Sequence, residues 1–186
     1  MKNEQNIWAK VVLSAYRYLE RLCRTIDRLV ETTAENSMYT NSYWQNECSI
    51  TTIFKKINKL TEKKIDYINL KLIVEKALKS LPIKLSKILI LRYIHQLPME
   101  KVAELLKLTH RTTYRKLDFA NEQMINAMSR LGYTPEYMNI KFADDSYISS
   151  LYNSILDYHR YSKNIGTDCS DEMLIKLLHD FELNPI

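Results

Sequence analysis

The sequence predicts an all-α fold, and three observations favour it. Only two glycines and four prolines occur in 186 residues, which suits long helices and argues against a β sandwich with many turns. Apolar residues recur at gaps of three and four near the N-terminus, which is the spacing of one helix face. The composition, 46% apolar and 26% charged, is typical of a globular chain.

Two apolar stripes predict a pair of long N-terminal helices. The first stripe consists of Trp8, Val12, Ala15, Leu19, Leu22, Ile26 and Leu29. The second, apolar at eight of ten positions, consists of Ile50, Ile53, Ile57, Leu60, Lys64, Tyr67, Lys71, Val74, Leu78 and Leu81. A polar segment, 31–47, separates them, which suggests a long antiparallel helical hairpin. A heptad stripe is buried against another helix, here either within the chain or across a homodimer.

The net charge of +5 is unevenly distributed along the chain. Residues 54–120 carry 16 basic and 6 acidic groups, whereas residues 121–186 carry 5 basic and 10 acidic groups. A localised basic zone is expected of a nucleic-acid binder. Basic helix faces also serve as solubilising surfaces, so the charge alone does not decide between these interpretations.

Cysteine usage and hydropathy point to the cytoplasm. Cys23, Cys48 and Cys169 are odd in number and far apart, so they predict neither a disulfide framework nor a metal site. The N-terminus has an early acidic residue and no uninterrupted apolar core, which argues against a signal peptide. No apolar run approaches the roughly 20 residues that cross a bilayer. We therefore expect a cytoplasmic protein with reduced thiols and no membrane contact.

Two prolines mark the starts of helices in the basic zone. Pro82 and Pro98 each stand where a helix is expected to begin, because their fixed φ suits a first turn. Between them the apolar stretch LILRYI predicts a short helix that ends near Gln96. Glu100, next to the second proline, suits the positive end of a helix dipole.

Residues 101–117, KVAELLKLTHRTTYRKL, predict two helices joined by a tight corner. Ala103 is small enough for a close helix crossing, and Thr109 is placed to cap the second helix by accepting the N–H of Thr112. The residues expected to face the core are Val102, Leu106, Leu108, Thr113 and Leu117.

In the first turns of the second helix of this corner, polar side chains face away from the core. The candidates for contact with base edges are Thr109, His110, Arg111, Tyr114 and Arg115. Arginine can bind guanine O6 and N7 with two hydrogen bonds, and the others offer hydrogen bonds or apolar contact. The candidates for phosphate contact are Arg92, Lys101, Lys107 and Lys116. The alternative is a structural helix pair with a solvated basic face.

The segment LKSLPIKLSKILILRYIHQLPMEKVAELLKLTHRTTYRKLDFANEQM resembles region 4 of the sigma-70 family. That family shows an LP helix start, an apolar LRY helix, an EEIAE segment and a recognition helix of the RTVYR type. The resemblance covers about residues 72–128 and implies a helix-turn-helix that binds double-stranded DNA, with RNA polymerase as a further partner. With the preceding helices, the chain is similar to small phage or mobile-element transcriptional regulators.

The chain departs from the family pattern at three positions and in one region. Lys107 stands where the family usually has glycine, so a non-glycine residue is expected at positive φ. Pro98 replaces the usual Ser or Thr cap, and Thr113 replaces Val or Ile. No counterpart of sigma region 2 is present, so a complete sigma factor is not expected.

The C-terminal part is acidic and is expected to be helical. We predict a turn at YTPEYM, a helix over the tyrosine-rich segment 147–161, and a last helix beginning near Ser170. The resulting division is a helical hairpin or coiled-coil segment at 1–65, a region 4-like helix-turn-helix domain at 66–131, and an acidic helical segment at 132–186. The sequence does not fix the role of this acidic segment; contact with a protein such as RNA polymerase is one hypothesis, based on its charge and on the region 4 resemblance.

Enzymatic chemistry is not expected. The two glycines, Gly132 and Gly166, are too far apart for a phosphate-binding loop, and neither G-x-S-x-G nor H-E-x-x-H occurs. Glu100 and Glu104 lie beside lysines, which favours ion pairing over acid/base catalysis. We predict a sequence-specific DNA-binding transcriptional regulator without cofactor or metal. The alternative is an adaptor that binds RNA polymerase or another factor without touching DNA.

Overall fold

A computed structural model describes the backbone of residues 2–39 and 47–165 and the side chains of residues 7–36 and 50–157. These residues form seven α-helices and one π-helical segment, with no strand among them, which confirms the all-α prediction. The helices are α1 (Lys2–Tyr39), α2 (Glu47–Ser80), α3 (Ile83–Leu89), α4 (Met99–Leu106), α5 (His110–Arg130), α6 (Pro135–Lys141) and α7 (Ser146–Ile165). The π-helical segment, Ile90–Ile94, directly follows α3.

The chain divides into two compact units, and α1 and α2 contribute to both. Unit 1 consists of Met1–Arg17 and Ile73–Ile186, and unit 2 of Tyr18–Leu72. Because each long helix is shared between the units, the hairpin as a separate domain at 1–65 stays a prediction.

In unit 2, the two helical segments are held together by polar and apolar contacts. Lys64 Nζ lies 2.5 Å from Asp27 Oδ1, and Lys71 Nζ lies 3.4 Å from Glu20 Oε2. Later residues of α1 thus meet earlier residues of α2, so the segments run in opposite directions here. Hydrogen bonds from Arg24 and Lys71 lower the pKa of Glu20.

The predicted apolar stripes are buried over only part of their length. Leu19, Ile26 and Tyr67 are buried in unit 2, but Leu29 and Ile50 are about half exposed. Cys23 is a free, half-buried thiol whose pKa is raised by burial. The side chains of Cys48 and Cys169 lie outside the described residues.

Unit 1 is organised around the buried face of α5. That face consists of Thr113, Leu117, Ala120, Asn121, Met124, Ile125, Ala127 and Met128, and both α3 and α4 pack against α5. The start of α1 belongs to the same unit, since Trp8 Nε1 donates to Asn139 Oδ1 at 2.8 Å. The Trp8 ring also lies 4.9 Å from the Tyr152 ring, centroid to centroid.

The C-terminal part differs from the sequence prediction at one point. The sequence predicts a turn at YTPEYM, but Thr134 caps a short helix, α6, by accepting the N–H of Tyr137 at 3.2 Å. Threonine followed by proline is a favourable helix start, because the cap and the fixed φ of proline act together. The helix over the tyrosine-rich segment is confirmed as α7, whereas the helix expected near Ser170 lies outside the described residues.

Candidate nucleic-acid interface

The corner between α4 and α5 is built on a left-handed residue. Lys107, the residue after α4, has φ 51° and ψ 47°. Its N–H and that of Leu108 donate to the carbonyls of Glu104 and Ala103 at 3.0 and 2.9 Å. These bonds satisfy carbonyls that the end of a helix otherwise leaves open. The sequence prediction of a non-glycine residue at positive φ is therefore confirmed.

Lys107→Gly is expected to raise the free energy of unfolding by about 1 kcal/mol, because glycine adopts positive φ without the clash that a β-carbon causes. Lys107→Ala is the matched control, since it removes the charge but keeps the β-carbon. Urea unfolding of both variants measures the difference. Equal stability of the glycine and alanine variants would show that the left-handed residue carries no strain.

Thr109 starts α5 as the sequence predicts. Its side-chain oxygen accepts the N–H of Thr112 at 3.3 Å and lies 2.8 Å from the hydroxyl oxygen of Thr112. The carbonyl of Thr109 also accepts the Thr113 hydroxyl at 3.0 Å. Because its hydroxyl already serves as the cap, Thr109 has less hydrogen-bonding capacity left for a base than the sequence suggested.

The residues predicted to face the core at this corner are buried or half-buried in the structure. Val102 and Ala103 of α4 are buried, and so are Thr113 and Leu117 of α5. Leu106 and Leu108 are half-buried. The contacts between these side chains fix the face that α5 turns away from the core.

The outward face of α5 carries the predicted base-contacting residues. Arg111 and Arg115 are both exposed, and residues four apart lie on the same side of a helix. His110 is exposed and Tyr114 half-buried, and their rings meet edge to face with centroids 4.9 Å apart. The two arginines therefore project together from the first two turns of α5.

Three of the four predicted phosphate-contacting residues are lysines of the α4–α5 corner with accessible side chains. Lys101 and Lys107 are exposed and Lys116 is half-buried. Together with Arg111 and Arg115 they place five positive charges between residues 101 and 116 of the α4–α5 corner.

Arg92 is a correction to the predicted set, because it lies in the core. Its side chain is only 3% exposed, and Nη1 donates to the Leu97 carbonyl at 3.0 Å. The cause is its position on the helix: Ile88 and Leu89 are buried four residues before Arg92 and Tyr93, and residues four apart share one helix face. Arg92 and Tyr93 therefore continue that buried face, at a π-helical turn in which the His95 N–H bonds to the Ile90 carbonyl at 2.9 Å. Arg92 is thus a structural residue.

Glu100 belongs to the same corner, although the sequence did not predict its contact. Its Oε1 lies 3.5 Å from His110 Nε2, so it bridges the first turns of α4 and α5 when the imidazole is protonated. Glu100 and His110 are brought together by the fold of the corner, and their separation of ten residues along the chain is not that of neighbours on one helix. His110 is thus oriented by Glu100 on one side and Tyr114 on the other.

In the described part of the chain, no group of three His, Cys, Asp or Glu side chains is arranged to hold a metal ion. Nor does any helix of that part combine the length and apolar character needed to cross a bilayer. Comparison with known proteins gives no match: no family model matches the chain, and neither a curated protein nor a solved structure does.

Proposed function

We propose that the chain is a sequence-specific DNA-binding regulator of transcription that reads DNA with the first two turns of α5. The observation that carries this proposal is the exposed pair Arg111 and Arg115, one turn apart, on a helix whose opposite face is buried at Thr113 and Leu117. A rigid helix with two projecting guanidinium groups suits the major groove, which admits an α-helix.

Each group at the corner has a distinct part in the proposed complex. Arg111 and Arg115 bind guanine O6 and N7, while His110 and Tyr114 contact neighbouring base edges. Lys101, Lys107 and Lys116 bind phosphates and fix the register of α5 on the duplex without reading sequence. Arg92 has no contact with DNA and instead supports the core behind the corner.

The proposal extends to the kind of regulator. The resemblance of residues 72–128 to sigma region 4 supports a phage or mobile-element regulator that acts in the cytoplasm and is not a complete sigma factor. Contact between the acidic C-terminal part and RNA polymerase belongs to the same proposal. It is supported by the resemblance and by the excess of acidic over basic groups in residues 121–186.

Fluorescence anisotropy of a mixed-sequence duplex over a salt series tests DNA binding. The affinity is expected to fall steeply with salt, since each neutralised phosphate contributes a slope of about −0.9 in log K against log salt. Lys107→Ala is expected to make the salt dependence less steep, reducing the magnitude of that slope by about one for every DNA sequence. Absence of binding at low salt would overturn the proposal and favour the adaptor, whose basic face binds an acidic protein instead.

A further inference from the structure

The outer side of α2 carries a row of apolar residues in water. Five large side chains are exposed there: Ile50 by 54%, Phe54 by 66%, Ile65 by 50%, Ile68 by 42% and Leu72 by 47%. Asn58 and Thr61 lie on the same side. We name these seven residues the outer stripe. The stripe belongs wholly to unit 2 and runs over 23 residues, or about 33 Å of helix.

The outer stripe is distinct from the face that α2 buries within unit 2. Tyr67 and Leu70 are buried there, and Lys64 bonds to Asp27 of α1. Successive helical residues are rotated by about 100°, which places Ile65 and Leu72 on the side away from Tyr67 and Leu70. α2 is therefore apolar on two sides, and only one of them is covered by this chain's described residues.

The spacing within the stripe is that of a helix-packing seam. One row at intervals of seven consists of Asn58, Ile65 and Leu72, and the other of Phe54, Thr61 and Ile68. Two apolar rows with this repeat form the contact line of paired helices. A single asparagine in such a row favours one partner and register over others.

The exposed area reaches the lower limit for a specific contact. At about 200 Å² for a large apolar side chain, the five half-exposed residues leave roughly 500 Å² exposed to solvent. That is the size of the largest apolar patch on a typical soluble monomer, about 300–600 Å², and such patches are often functional. Two such stripes together hold about 1,000 Å², the least that a biological interface buries, and the flanking side chains add to it.

We infer that a second copy of this chain docks on the outer stripe, forming a homodimer through α2. The stripe contains no charged residue, so two copies can meet about a twofold axis without burying like charges. The same heptad rows supply both sides of the contact. This inference rests on unit 2 alone and does not depend on DNA binding.

Light scattering after size-exclusion chromatography, without DNA, tests the homodimer. The wild-type chain is expected at twice its 22.1 kDa monomer mass. Ile65→Lys with Ile68→Lys is expected to give the monomer mass, because two buried charges oppose the contact. The matched control is Ile83→Lys with Ile140→Lys, two isoleucines that are even more exposed and lie outside the stripe. This control is expected to keep the dimer mass.

Circular dichroism shows whether each variant keeps its helices, and the single variant Leu72→Lys replaces the double variant if that one unfolds. A wild-type mass of 22.1 kDa at concentrations up to about 100 μM would overturn the inference. An unchanged dimer mass in a folded stripe variant would do the same. Neither result bears on DNA binding, which the anisotropy series measures separately.

Discussion

Replacing Arg111 and Arg115 together by alanine is expected to weaken binding to a selected DNA site by at least about 2 kcal/mol, or roughly 30-fold. Each guanidinium that binds a guanine contributes about 1–3 kcal/mol of discrimination. Both side chains project from exposed positions on one side of α5, so their removal leaves the core face unchanged. The loss is expected to fall on the selected site more than on mixed-sequence DNA.

The matched control for this pair is Arg28→Ala with Arg130→Ala, which removes two exposed arginines elsewhere. Arg130 lies on the same helix as Arg111, nineteen residues or about 28 Å away. A site selected from random sequences, titrated by anisotropy, gives the affinities of the wild type and both double variants. An equal loss in the two double variants would assign the effect to net charge and contradict base reading by α5.

Arg92→Ala is expected to lower the free energy of unfolding by about 3 kcal/mol. The change leaves a cavity and removes the donor to the Leu97 carbonyl, and each effect contributes a large part of the loss. The affinity of the remaining folded protein for DNA is expected to be unchanged, because the side chain is buried.

Urea unfolding and anisotropy on the same samples distinguish a structural role of Arg92 from contact with DNA phosphate. Arg111→Ala serves as the comparison: it is expected to change stability by no more than about 0.5 kcal/mol, as exposed substitutions usually do, while weakening DNA binding. If Arg92→Ala keeps its stability and loses DNA affinity, the side chain contacts phosphate and its structural role is refuted.

The corner could be predicted from sequence because its determinants are local. Thr109 caps a helix through a hydrogen bond to a residue three positions on, and Ala103 and Thr113 sit at fixed offsets from it. Arg92 is misplaced when residue type outweighs spacing. It stands four residues after the buried Ile88 and so shares that helix face, but a lone arginine in an apolar stretch is ordinarily assigned to the surface.

Periodicity also failed to reveal the outer stripe of α2. The heptad stripe predicted along residues 50–81 contains the buried Tyr67 and Val74. Ile65, Ile68 and Leu72 belong to two further rows on the same helix, but a repeat does not tell which side of the helix a partner covers. The contact between Glu100 and His110 was missed for a similar reason, since it joins the starts of two helices across a turn.

The contact between Trp8 and Asn139 has a consequence for synthesis of the chain. These partners are 131 residues apart, and ribosomes add about 5–20 residues per second. The apolar start of α1 therefore leaves the ribosome roughly 7–26 s before the segment that covers it. During that interval all residues of unit 2, which are contiguous in the chain, also leave the ribosome. The unit that bears the arginine pair closes last, and a chain truncated before α6 lacks the partner of Trp8.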